Sequence, residues 1–97
     1  MIVSVTLDDI RDGLRGRSLW CPVARALNRV TNQAWWVGVG VRESGRRGWK
    51  LVPCIGDDVD APAFAIRFIK RFDRGEAVKP FSFTIPDDCL YVEGANE

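Results

Sequence analysis

Trp35-Trp36-Val37-Gly38-Val39-Gly40-Val41 alternates by twos. Trp35, Val37, Val39 and Val41 share one face, and Trp36, Gly38 and Gly40 the other, as in a half-buried strand. Arg42-Glu43-Ser44-Gly45-Arg46-Arg47-Gly48 follows as the turn of a hairpin. Trp49-Lys50-Leu51-Val52-Pro53 is the return strand, with Trp49 and Leu51 on one face. Pro53 ends that strand or places it at an edge. The period then changes. Phe64, Ala65, Phe68, Ile69 and Phe72 recur at helical spacing, the mark of an amphipathic helix. A hairpin followed by such a helix predicts a mixed α+β chain.

Working outward, Ile2-Val3-Ser4-Val5-Thr6 is short, β-branched and bounded by acidic residues, which predicts a first strand. Thr6-Leu7-Asp8-Asp9 has the Thr-x-x-Asp form of a helix start. One or two turns are expected over 7–12, with Leu7 and Ile10 turned inward. Residues 14–18 read as a loop. Trp20-Cys21-Pro22 opens a second helix, because proline is favoured in the first turn. Val23, Ala26, Leu27 and Val30 form its apolar stripe, and it should end near Thr31–Asn32. Residues 54–62 form an acidic, turn-rich link, with Asp60 expected to cap the third helix and Pro62 in its first turn. Gly75 is the expected C′ residue. Phe81-Ser82-Phe83-Thr84-Ile85 is the last strand, bracketed by Pro80 and Pro86. Cys89-Leu90-Tyr91-Val92 would add one short packed segment.

The expected fold is a single α+β domain over 1–97. It has one four-stranded, mainly antiparallel sheet with two helices packed on one face, plus a short N-terminal helical turn. Strand order is open; a ferredoxin-like order is one option. Phe64, Phe68, Ile69 and Phe72 are expected to pack over Val37, Val39, Phe81 and Phe83.

Composition narrows the chemistry. The 97 residues include no histidine. That removes the commonest general base, pH switch and metal ligand together, so no Ser-His or Cys-His pair can be built. Cys21, Cys54 and Cys89 are widely spaced and odd in number. Neither a structural zinc site nor a disulfide framework is expected, and no cofactor is. No apolar run approaches the roughly 20 residues of a membrane span. The net charge of +1 is unevenly spread. Residues 11–50 hold nine basic against two acidic residues, whereas 51–97 hold five basic against nine acidic. Such asymmetry marks either a binding face or pairing between the halves.

One pattern spans most of the chain. Ile2–Thr6 leads into Asp8-Asp9-Ile10 and Gly13. Cys21-Pro22-Val23-Ala24 leads into Arg25-Ala26-Leu27 and Arg29. The pattern closes with Phe72-Asp73-Arg74-Gly75-Glu76 and Val78-Lys79-Pro80-Phe81-Ser82-Phe83. It resembles small accessory proteins of phages and prophages, especially those of actinobacteria. That group has no assigned activity, so the resemblance implies a setting, a bacterial host cytoplasm, and no particular chemistry.

Three features are candidates for function. Cys21, at a helix N-terminus, is the most reactive-looking thiol; its alternative role is a helix cap. Trp36 beside Gly38 and Gly40, with Arg46, Arg47 and Lys50 of the hairpin, could form an exposed partner-binding patch. The alternative is that the Leu14–Trp20 loop or the tail covers Trp36. Arg67, Lys70, Arg71 and Arg74 form a continuous basic stripe on the third helix, and Arg25 and Arg29 a shorter one on the second. Such stripes contact phosphates or simply face solvent. The expected function is non-enzymatic binding and modulation of a host or phage protein. Nucleic-acid binding through the basic stripes is the alternative.

Overall fold

The structure, a computed structural model, describes residues 1–42 and 44–87. Along the chain run β1 (Ile2–Val5), α1 (Leu7–Asp12), α2 (Pro22–Thr31) and β2 (Trp35–Val41). Then follow β3 (Arg47–Pro53), β4 (Val59–Asp60), α3 (Ala63–Asp73) and β5 (Phe81–Thr84). The expected Cys89–Val92 segment lies outside the described residues.

Local chemistry accounts for most of these boundaries. Thr6 and Asp9 form a reciprocal capping box: the Asp9 N–H donates to Thr6 Oγ1 and the Thr6 N–H donates to Asp9 Oδ2. Cys21 caps α2 and Pro22 occupies its first turn. Asn32 ends α2 with φ 58°, the left-handed conformation that asparagine tolerates at a helix end. Gly75, at φ 81°, turns the chain out of α3. The cap of α3 differs from expectation. Asp60 belongs to β4, and Pro62 stands at the N-cap with no side-chain hydrogen bond.

The sheet also differs. Among the described residues there are two antiparallel sheets in place of one of four strands: β1–β5, and β2–β3–β4. In the hairpin, Trp35 pairs with Pro53 and Val41 with Arg47. The third strand of that sheet comes from the acidic link, where the Ala61 N–H donates to the Trp49 carbonyl at 3.1 Å. On each sheet, a backbone group that no strand takes is bonded elsewhere in the chain. The Ser4 carbonyl of β1 accepts from Arg29, and the Val37 N–H of β2 donates to the Ser18 carbonyl. α2 bridges the gap by packing on both β1 and β2.

One core joins these pieces. Val3 and Val5 of β1, Val23 and Leu27 of α2, Trp35 and Val37 of β2, Leu51 of β3, Phe68, Ile69 and Phe72 of α3, and Phe83 of β5 are buried together. The buried indole N–H of Trp35 donates to Thr31 Oγ1 at 2.7 Å, and that hydroxyl donates to the Leu27 carbonyl. Burying an indole nitrogen without such a partner would be costly. Three expected core residues lie outside it. Leu7, Val39 and Phe64 are exposed. Phe64 instead meets the half-buried Phe81 edge-on, with ring centroids 5.8 Å apart.

Candidate functional site

Trp36 lies on the outer face of the β2–β3–β4 sheet and remains 36% exposed. Its ring covers the backbone of Gly38, where a Cβ would come within 2.6 Å of the indole. The same device recurs on this face. Lys50 crosses Gly40, and Arg42 crosses Gly48, where a Cβ would meet the Arg42 side chain at 2.5 Å. The glycines of the hairpin thus form a bed on which long side chains lie down.

The two basic side chains on this bed are already engaged. Arg42 pairs with Asp60 at 3.2 Å, and Lys50 stands between Asp58 and Asp60 at 3.8 and 3.7 Å. Arg46 and Arg47 are exposed at the hairpin tip. Arg47 pairs with Val41, five positions from Trp36. At a strand rise of about 3.3 Å that is about 17 Å, and Arg47 points to the opposite face. The structure therefore does not gather Trp36, Arg46, Arg47 and Lys50 into one patch.

What lies beside Trp36 is the loop before α2. Gly16, Arg17, Ser18, Leu19 and Trp20 line a shallow groove with it. Leu19 is 51% exposed and Trp20 56%. The loop flanks Trp36 without burying it. Trp20 stands one residue before the Cys21 cap, where an apolar residue usually staples onto the fourth helical position. Here that position is Arg25, so the staple lacks its apolar partner. The indole forms instead a second depression with Arg25, Asn28 and Arg29. The mismatch between Trp20 and Arg25 is legible in the sequence and marks Trp20 as a surface residue.

The shorter basic stripe is structural. Arg29 binds Asp9 and the Ser4 carbonyl, and Arg25 pairs with Asp12 at 3.8 Å. Among the described residues, Arg15, Arg17, Arg46 and Arg47 make no ion pair.

The α3 stripe forms a separate surface. Arg67, Lys70, Arg71 and Arg74 are all exposed. Arg71 and Arg74 share Glu76. Arg67, Arg71 and Lys79 rim a groove of about 480 Å³ floored by Phe64, Phe68, Val78 and Phe81.

Cys21 is buried, and its Sγ accepts from the Ala24 N–H at 3.5 Å. Burial pushes its thiol up, and this outweighs the lowering by the helix N–H groups; the Asp73 charge adds to the rise. Desolvation of a thiolate wins over the helix terminus here. Cys54 is exposed. No cluster of three or more cysteine, aspartate or glutamate side chains among the described residues could hold a metal ion. No helix among them is long and apolar enough to cross a membrane. No protein-family model, no curated protein and no solved structure matches this chain.

Proposed function

We propose that this chain is a binding module that acts on a host or phage protein without catalysis, as a phage-type accessory protein. The single observation that carries this is the Leu19–Trp20–Trp36 surface. Two indoles and a leucine stand out beside Arg17, which makes no ion pair among the described residues. Aromatic residues and arginine at a shallow, partly desolvated surface are the composition of interface hot spots. The lack of histidine and the raised, buried Cys21 thiol agree with a non-catalytic role.

The groove beside α3 supports a second reading, nucleic-acid binding. A basic rim over phenylalanine rings is the composition of a single-strand platform. Two observations weaken it. Glu76 neutralises Arg71 of the rim, and Phe64 and Phe81 stand perpendicular, at 89°, so they do not form parallel stacking faces.

The test compares two double variants, Trp20→Ala with Trp36→Ala and Arg67→Ala with Arg71→Ala. Each is used to capture partners from an actinobacterial lysate and is titrated with single-stranded and duplex DNA at several salt concentrations. The tryptophan pair should abolish capture of a defined protein, weakening its binding about 30-fold or more. If only the arginine pair matters, and DNA affinity falls steeply with salt, the nucleic-acid reading replaces this one.

A further inference from the structure

Backbone hydrogen bonding in the hairpin assigns an edge. The Arg42 N–H donates to the Arg46 carbonyl, and the Cys54 N–H donates to the Ala34 carbonyl. In an antiparallel pair the N–H and C=O of one residue point the same way, and direction alternates along the strand. Even-numbered residues of β2 therefore face β3. Trp35, Val37, Val39 and Val41 aim their backbone groups outward. Val37 confirms this, because its N–H reaches the Ser18 carbonyl at 2.9 Å.

Beyond Val37 the edge is open. Among the described residues, the outward N–H groups of Val39 and Val41 have no hydrogen-bond partner. Their side chains are 40% and 67% exposed. The other edges of the molecule are blunted. β4 is two residues long and followed at once by Ala61-Pro62. β5 is four residues long between Pro80 and Pro86. The Ser4 carbonyl of β1 is taken by Arg29. Short strands, prolines and covering contacts are the ordinary protections against strand addition. The distal half of β2, Val39-Gly40-Val41, carries none of them.

A cleft of about 210 Å³ adjoins this edge, lined by Arg17, Cys21, Val39, Trp49, Ile69 and Asp73 among others. It lies below the size of a small-molecule site, roughly 300–1,000 Å³, and suits one apolar side chain. Asp73 at its wall accepts from the Gly16 N–H at 3.0 Å. Arg17, which lines the cleft, and Arg47, which faces Val41 from across the hairpin, make no ion pair among the described residues, and together they outnumber Asp73. Their charge favours an acidic occupant.

We infer that the Val39–Val41 edge receives an extended, acidic segment of the partner protein as an added strand. One apolar side chain of that segment enters the adjoining cleft. This rests on the reading of the chain as a protein-binding module and specifies how the partner is held: main-chain bonds supply affinity and the cleft supplies specificity. A second copy of the chain fits less well. Antiparallel pairing of two β2 edges centred on Gly40 or Val41 brings each hairpin turn to the place beside Val37 that Ser18 already occupies.

The experiment uses the whole protein and a displayed library of random-sequence peptides. Selected peptides should be acidic with an isolated apolar residue. Their binding should slow hydrogen exchange at the Val39 and Val41 amides by about tenfold or more. Val39→Pro removes an N–H that makes no bond in the sheet, and should weaken the peptide by about tenfold or more. Val39→Ala, which keeps the N–H, should weaken it much less. A selected peptide N-methylated at alternate residues should fail to bind wild-type protein, which tests the edge without altering the fold. The inference is overturned if no peptide is selected, or if the amides protected lie elsewhere. It is also overturned if Val39→Pro binds normally, or if a wild-type dimer protects Val39 and Val41. Should the peptides depend on Trp20 and Trp36 but not on Val39→Pro, the binding module stands and the added strand falls.

Discussion

The Trp36 ring occupies the space that a side chain on Gly38 would fill, with two ring carbons within 2.7 Å of the position of the missing Cβ. Gly38 is buried beneath an indole that is itself partly open to solvent. The presentation of Trp36 thus depends on the absence of one methyl group two residues away.

Gly38→Ala should therefore expel the indole from its bed. Overpacking of this kind costs about 1–3 kcal/mol, and the partial exposure of Trp36 puts the expected loss at the lower end. Tryptophan emission should shift to the red as the ring meets water. An unchanged emission maximum with unchanged stability would show that the ring does not rest on Gly38.

Phe68 and Phe64 sit four residues apart on α3 but differ in burial. Phe68 meets Phe81 at a 45° tilt with ring centroids 4.7 Å apart, whereas Phe64 is 44% exposed. Phe68→Ala should cost about 3–5 kcal/mol in denaturant unfolding. Phe64→Ala should cost no more than about half of that, since less apolar area leaves water there on folding. Equal losses would contradict the packing of this helix.

The capping box of α1 is coupled to α2. Asp9 is buried, caps through Thr6, and also meets Arg29. Thr6→Ala should cost about 1 kcal/mol, and Asp9→Ala more, because it also removes the carboxylate that Arg29 pairs with. The double variant should cost less than the two losses added, since both sever the same reciprocal bonds. Strict additivity, measured by denaturant unfolding, would argue that Thr6 and Asp9 act separately.

Cys21 ties stability to alkaline pH. Burial raises its thiol above the ordinary value of 9.0, so the folded state holds the proton after the unfolded chain has released it. The stabilisation is complete below about pH 9 and is lost as pH rises further toward the folded value. Cys21→Ala should flatten that alkaline decline. At neutral pH an alkylating reagent should modify exposed Cys54 well before Cys21. Faster reaction at Cys21 would contradict its burial.

How much of this was legible before folding depends on how far each cause lies along the chain. The alternation of Trp35–Val41, the Phe64-Ala65-Phe68-Ile69-Phe72 stripe, the Thr6–Asp9 box and Cys21-Pro22 act within a few residues, and each element they predict is present, although Phe64 and Val39 are exposed. The exposure of Trp20 also has a local cause, its mismatch with Arg25. The sheet's division had none. It goes with long-range contacts, Arg29 on the Ser4 carbonyl and the Val37 N–H on Ser18, between residues 25 and 19 positions apart. Asp60 shows the same limit: its residue type suits a helix cap, yet Arg42 and Lys50, brought across by the hairpin, hold it in β4. The sequence by itself determined the helices, the hairpin and the absence of histidine chemistry, because period, capping and composition are local properties. Tertiary structure alone decided that Lys50 is engaged, that Trp36 joins Trp20 instead of the arginine tip, and that one half of one strand edge stays open. Those outcomes depend on which distant groups reach a given hydrogen-bonding atom first.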